Sequence, residues 1–484
     1  MSRTHAGDRT RAGDRAHAGD RTHAGDRVRA GDRVRAAQQA VLARLGGQVE
    51  DPALTLLDLE VAGDTVALPY EIEGLATLTE TVRFPGHDLE TAATTPATAG
   101  ALRLLHLTAS TSYYKTVLPR RVVTGPLPPA AVRLLEALLT DGLAEFAAQH
   151  DLDLTGWPEV IAAPTAPQAP RRRPPGVVVP IGGGKDSAVT ALLVKRAGLD
   201  AVGFAVNPRP SMQRTAAATG LELLTAERRL DPRLLELNDA GALNGHVPIT
   251  AIVASIAQVA ATLTGRGDVL LSNEASADEP TRIIDGRAVN HQYSKSHAYE
   301  ALHLAASETL TGGATLALSL LRPLPELAVA GAFAHLGAPL TAVNSCNRAY
   351  SLTQERREWC GSCPKCLFVQ VMLASFTTPE TFRAGTGFDA LADPALVAQV
   401  ADLTDPQRKP YECVGTVAEV ALALDRLAED PAWADHPAVR ALGHADRQAG
   451  PRTRQLLDAI DPSGLPEPYA GIITRLVAEL RAAA

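Results

Sequence analysis

One stretch limits the fold more than any other. Val177-Val178-Val179-Pro180-Ile181 is a short β-branched run that empties into Gly182-Gly183-Gly184-Lys185-Asp186-Ser187. Helically spaced apolar residues, Ala188-Val189-Thr190-Ala191-Leu192-Leu193-Val194, follow at once. Strand, tight glycine turn and helix N-terminus in that order make an anion cradle. Glycine lets backbone N–H groups approach a phosphate, and the helix dipole favours negative charge there. The spacing fits neither the Walker A loop nor the dinucleotide fingerprint GxGxxG. The plain alternative is a glycine turn in an ordinary α/β domain.

The residues around the stretch favour the phosphate reading. Val177–Pro180 reads as a strand and Ser187–Arg196 as a helix, with Gly198 as its stop. Ala201–Val206 is a second apolar run, ending at Asn207-Pro208, and a long apolar helix begins near Ile249. Asp268–Leu271 then runs into Ser272-Asn273-Glu274. Such alternation predicts a parallel sheet covered on both faces, with ligands outside the strand C-termini. Gly182–Ser187, Asn207 and Asn273-Glu274 all fall at that edge.

Cys346, Cys360, Cys363 and Cys366 are spaced C-x13-C-x2-C-x2-C, with Gly361 and Pro364 inside the knuckle. Thiolates at this spacing converge on one ion, and four of them suit structural zinc. An iron–sulfur cluster is the rival metal, and a redox pair or plain buried thiols the metal-free reading. The fifth cysteine, Cys413, reads as a small buried residue, with a reactive thiol beside Glu412 as the lesser alternative.

The N-terminus is organised differently. Residues 3–36 repeat Arg-Thr-His-Ala-Gly-Asp with small variations, nine Arg against five Asp, so the rest of the 484-residue chain carries −12 of the net −8. A period of six fits no helix face, and the tail lacks apolar surface to offset ordering, so disorder is expected over 1–36. Residues 37–161 read as an α+β domain with a hairpin about Gly63-Asp64 and a helix opening at Pro128-Pro129. Within it, Ser112-Tyr113-Tyr114-Lys115 reads equally as a surface turn, an edge strand or a ligand contact. Five prolines and Arg171-Arg172-Arg173 mark 162–176 as a linker. The glycine-loop domain with the knuckle would occupy 177–375 and a mainly helical region 376–484. An acidic folded part with 4% aromatics argues against nucleic acid as partner. No apolar run suggests a membrane span and no signal peptide is evident, so a cytoplasmic location is expected. Oligomeric state is left open.

The loop resembles the S-G-G-x-D-S loop of the ATP pyrophosphatases, with Gly182 where that family has its first serine. Loop, strand–helix alternation and knuckle together resemble the 7-cyano-7-deazaguanine synthases and related N-type ATP pyrophosphatases. A closer resemblance runs through IGGGKDS (181–187), FAVNPRP (204–210), LNDAGALNGHVPITA (237–251), SNEASADE (272–279), VNHQYSKS (289–296), WCGSCPKC (359–366) and KPYECVGT (409–416). These resemble the MurL family, the UDP-N-acetylmuramoyl-L-alanyl-L-glutamate epimerases of peptidoglycan synthesis, over about residues 100–420. The resemblance implies a HUP-like ATP pyrophosphatase fold. It also implies an ATP-dependent inversion of the terminal L-glutamate of UDP-MurNAc-L-Ala-L-Glu through an acyl-adenylate, with release of AMP and diphosphate. On that footing Gly182, Gly183 and Gly184 cradle phosphates, Lys185 adds charge, Asp186 holds Mg²⁺ or orients the loop, and Ser187 donates to a phosphate. Asn207, Asn273 and Glu274 join the nucleotide site. His246, His291 and Lys295, near Asn244 and Tyr293, are the candidates for proton transfer. The competing readings are an adenylating ligase, a tRNA-modifying relative, and a non-enzymatic metal-knuckle protein.

Overall fold

A computed structural model of the chain describes residues 16–350, 358–444 and 449–483. Its strands are β1 (Ala53–Leu56), β2 (Glu60–Ala62), β3 (Thr65–Ile72), β4 (Ala76–Arg83), β5 (Arg121–Val123), β6 (Glu159–Ile161), β7 (Val177–Pro180), β8 (Ala201–Val206), β9 (Leu223–Arg229), β10 (Asp268–Leu271), β11 (Arg282–Ile284), β12 (Arg287–Val289) and β13 (Leu316–Ser319). All but the β11–β12 hairpin belong to one sheet, in the order β13-β10-β7-β8-β9-β4-β3-β1-β5-β6, with β2 on β3. The half from β13 to β9 is parallel throughout.

β7 shows why its sequence is continuously apolar. Val178 faces one core with Val202, Val269 and Ala317, while Val177 and Val179 face a second core with Val189, Leu270 and Leu318. Strand side chains alternate between faces, and here both faces are buried. The helix Ile249–Leu263 packs into the first core, and Lys185–Arg196, Glu326–His335, Pro364–Ala374, Val417–Glu429 and Tyr469–Ala483 into the second.

β2 and β3 form the expected hairpin, Val61 opposite Val66, and Val66, Leu68, Tyr70 and Ile72 are its buried face. The sheet does not stop at the proline-rich segment. β4 pairs antiparallel with β9, so the N-terminal strands extend the parallel half and share its first core. Arg228 of β9 donates to the buried Glu80 of β4 at 2.7 and 2.9 Å across this seam.

Two segments differ from the sequence expectation. The tail expected to be disordered to residue 36 is helical from Ala16 to Leu45, and residues 1–15 lie outside the described residues. Val34, Gln38, Val41 and Leu42 are buried at helical spacing, and Gln38 donates to the Leu118 carbonyl at 2.9 Å. Once that face is docked, extending the helix backward adds a hydrogen bond per residue without a new nucleus. Tyr113 and Tyr114 lie neither on a surface nor on a sheet edge. Both are fully buried in the short helix Thr111–Tyr114, Tyr113 stacked on Tyr70 at 4.5 Å. No single helix among the described residues is long and apolar enough to cross a membrane.

Candidate active site

The strand order reverses at β7, whose neighbours are β10 on one side and β8 on the other. At the C-terminal ends of these strands lies a cavity of about 350 Å³. Such crevices are where open α/β sheets bind ligands. The glycine turn forms one rim. Gly183 has φ +83°, a left-handed conformation that favours glycine, and a Cβ on Gly184 would meet Ser345 Oγ at 2.6 Å. A Cβ on Gly182 meets nothing within 4 Å, so a serine there would fit.

The helix opens at Lys185, two residues earlier than the sequence reading, with Gly184 as its N-cap residue. That places Lys185, Asp186 and Ser187 in its first turn. Asp186 and Ser187 line the cavity, Ser187 Oγ donating to the Gly184 carbonyl at 3.0 Å. Lys185 turns inward, 1% exposed, and its ammonium bridges Asp186 and the buried Glu326. Burial opposes the charge of Asp186, but Lys185, Lys365 and Lys295 outweigh it and hold the carboxyl below its ordinary value. Burial pushes Glu326 up to about 7 against the pull of Lys185, and raises Glu274 against that of Lys295.

Asn273 and Lys295 reach the cavity, but Asn207 does not. Asn207 instead ties β8 to β9, donating to the Arg228 carbonyl at 2.8 Å and accepting from its N–H at 2.9 Å. Asn273 donates to Ser319 Oγ at 2.9 Å, which fixes its amide. Arg322 donates to the Lys295 carbonyl at 2.7 Å and to Glu300 at 2.8 Å, securing the turn that presents Lys295. Asn244 and Tyr293 are used structurally: Asn244 accepts from the buried Lys115 at 2.6 Å, and Tyr293 packs edge-on against Tyr299.

The rings of His246 and His291 lie against each other, with centroids 4.5 Å apart. Glu145, from the N-terminal half, accepts from His291 and lies 3.7 Å from His246. Burial lowers His291, but hydrogen bonds to Cys413 and Glu145 prevail and lift it to about 9. Burial, reinforced by His291, drops His246 to about 4. The opposite shifts favour a neutral His246 beside a protonated His291.

Apart from Cys413, which the sequence marks as a possible reactive thiol, the remaining cavity residues escape the sequence reading. Phe204, Val206, Met212, Ile249, Val253 and Leu271 form an apolar wall. Lys365 and Cys413 line the polar end, and Lys365 also donates to the Cys413 carbonyl. The signal was present for Lys365, the lysine inside Cys-Pro-Lys-Cys, and for Cys413, which follows a tyrosine and a glutamate. Neither signal says which cavity it serves.

The four knuckle cysteines converge. Sγ separations are 3.9 Å for Cys346–Cys363, 3.7 Å for Cys360–Cys366 and 3.5 Å for Cys363–Cys366. A tetrahedral zinc with Zn–S of about 2.3 Å requires sulfurs about 3.8 Å apart, so the donor set fits the ion. The knuckle adjoins the glycine turn: Asn344 N–H donates to the Gly183 carbonyl at 2.7 Å, two residues before Cys346. Cys363 and Cys366 bracket Lys365 at the start of the helix Pro364–Ala374.

Comparison with known proteins matches both halves of the chain. The family models of the MurL N-terminal domain and the MurL C-terminal domain match residues 53–320 and 342–456. The first match crosses the proline-rich segment, as the sheet does. The chain is 42% identical over 397 residues to a UDP-N-acetyl-alpha-D-muramoyl-L-alanyl-L-glutamate epimerase of Salinispora tropica, covering 80% of this chain and 86% of that protein. Identity to the protein of the same name from Micromonospora sp. is 40% over 412 residues, 82% and 91% of the two chains. For that of Xanthomonas oryzae pv. oryzae it is 36% over 394 residues, 79% and 86%.

Proposed function

The chain belongs to the MurL family, and from that premise we propose that it inverts the terminal glutamate of UDP-MurNAc-L-Ala-L-Glu from L to D, using ATP as co-substrate. The observation that carries the ATP part is the glycine turn at the sheet's switch point, opening into a cavity with a cationic polar end and an apolar wall. The apolar wall suits a heteroaromatic base. A glycine turn at a helix N-terminus suits phosphates.

The chemistry explains why activation and inversion belong together. A free carboxylate holds its α-proton tightly, because removing it adds charge beside charge. Joining the carboxylate to AMP removes that charge and acidifies the proton. A positioned base can then take it, and a proton returned to the opposite face inverts the centre. Hydrolysis of the mixed anhydride releases product and AMP.

Each residue has a place in this reading. Gly182, Gly183 and Gly184 cradle the phosphates, and Ser187 donates to them. Asp186, kept ionised by its lysines, holds Mg²⁺; the ion would neutralise charge on the leaving diphosphate. Lys185 positions Asp186 from within. Asn273 and Lys295 face the substrate at the polar end, and Glu274 lends its charge to Lys295 from behind. Asn207 supports the site by closing β8 onto β9. His246 and His291 move protons, backed by Glu145. The Cys346–Cys360–Cys363–Cys366 set holds a structural zinc.

Replacing Asp186 with Ala tests the activation half. AMP release and D-glutamate formation should fall together by at least about a hundredfold, as when one charge-stabilising group is lost from an active site. Bound metal should stay unchanged by elemental analysis. Inversion that persists in D186A would defeat the reading.

A further inference from the structure

Cys413 stands apart from the other cysteines. The four knuckle thiols face one another, whereas Cys413 lines the cavity with Asp186, Lys295 and Lys365. It sits on the segment that precedes the helix Val417–Glu429. His291 and Lys295 lie close enough to the thiol for their charges to act on it. Glu145 accepts from His291 and so holds that ring in place. Lys365 fixes the backbone by donating to the Cys413 carbonyl.

A cysteine that merely filled apolar space would be harder to ionise than a free one. Burial does push Cys413 that way, but Lys295, His291 and Lys365 prevail and bring the thiol down to about 5. The charges around the sulfur therefore favour its thiolate form. The same ammonium groups that surround the sulfur would stabilise an enolate formed beside it.

We propose that Cys413 is a catalytic residue of the inversion, its thiolate taking the α-proton of the adenylated glutamate. This rests on the adenylating reading above. The Cα–H bond breaks and the proton passes to Sγ. The electron pair forms a Cα=C bond as the acyl C=O pair moves onto oxygen, facing Lys295 and Lys365. When the enolate collapses, a proton from water forms the new Cα–H bond on the opposite face. Sγ returns its own proton to water, leaving the thiolate as it began. His291, backed by Glu145, positions the sulfur and relays its proton to water.

The test uses wild-type, Cys413→Ser and Cys413→Ala proteins with ATP, Mg²⁺ and UDP-MurNAc-L-Ala-L-Glu in deuterated water. AMP, D-glutamate and α-deuterium are measured together. Wild-type product should carry deuterium at the α-carbon. Both variants should lose inversion and α-deuterium by at least a hundredfold while AMP release stays within a few-fold, since Cys413 contributes no atom to adenylation. Retained AMP release also reports that the variants are folded. Inversion within tenfold of wild type in C413A overturns the inference and leaves the adenylating reading standing. Parallel loss of AMP release and inversion in both variants also overturns it, pointing to a structural thiol. A wild-type protein that inverts without releasing AMP overturns the adenylating reading, and the inference with it.

Discussion

Lys185 lies in the first turn of a helix that opens on a cavity, yet its ammonium faces inward between Asp186 and Glu326. Removing one partner of a buried ion pair costs more than the pair contributes, because the remaining charge is stranded. Lys185→Met should therefore cost about 3–5 kcal/mol in urea unfolding. Adding Glu326→Gln should recover much of it, since Glu326 would no longer need a cation. If the double variant is no more stable than K185M alone, the lysine is not there to satisfy Glu326. Gly182 makes a different point at the same scale. The family-like loop has serine there, and the space above Gly182 would admit one. Its absence is tolerated by the backbone, and Ser187 supplies the hydroxyl that lines the cavity.

The elements show where sequence reading succeeds and where it stops. Strand, glycine turn and helix were legible because each is specified by neighbours in the chain: a β-branched run, a positive φ, a 3.6-residue period. The four-cysteine knuckle was legible for the same reason. Glu326 was not, because it lies 141 residues from the lysine it pairs with. Glu145 was hidden likewise, 146 residues from His291 in an apolar helix. Asn207 was placed at the correct strand end, but sequence could not say that its amide bonds Arg228 and not the cavity. The helix from Ala16 was missed because its anchor is four side chains, starting at Val34 inside the repeat. The knuckle itself is expected to act through its neighbours. Stripping the metal with a chelator should release Lys365 and the Asn344–Gly183 contact, lowering AMP formation by about ten- to a hundredfold, the usual cost of losing support around a site. Zinc should restore it, and far-UV circular dichroism should change little. Full activity in demonstrably metal-free protein would separate the knuckle from the loop.

Across the whole molecule, one sheet carries both halves of the site. Its parallel half supplies the glycine turn, Asn273 and Lys295; the N-terminal half supplies Glu145, which reaches His291. The β4–β9 seam and the buried Glu80–Arg228 pair hold the halves in register. On the proposed reading, activation and proton transfer would be coupled through this shared sheet. The coupling between them is measured most directly by counting AMP against D-glutamate in the first turnovers, starting from UDP-MurNAc-L-Ala-L-Glu with ATP and Mg²⁺. One AMP should appear for each glutamate inverted, and no D-glutamate should form when ATP is left out. D-glutamate appearing at the same rate without ATP would contradict the adenylating mechanism.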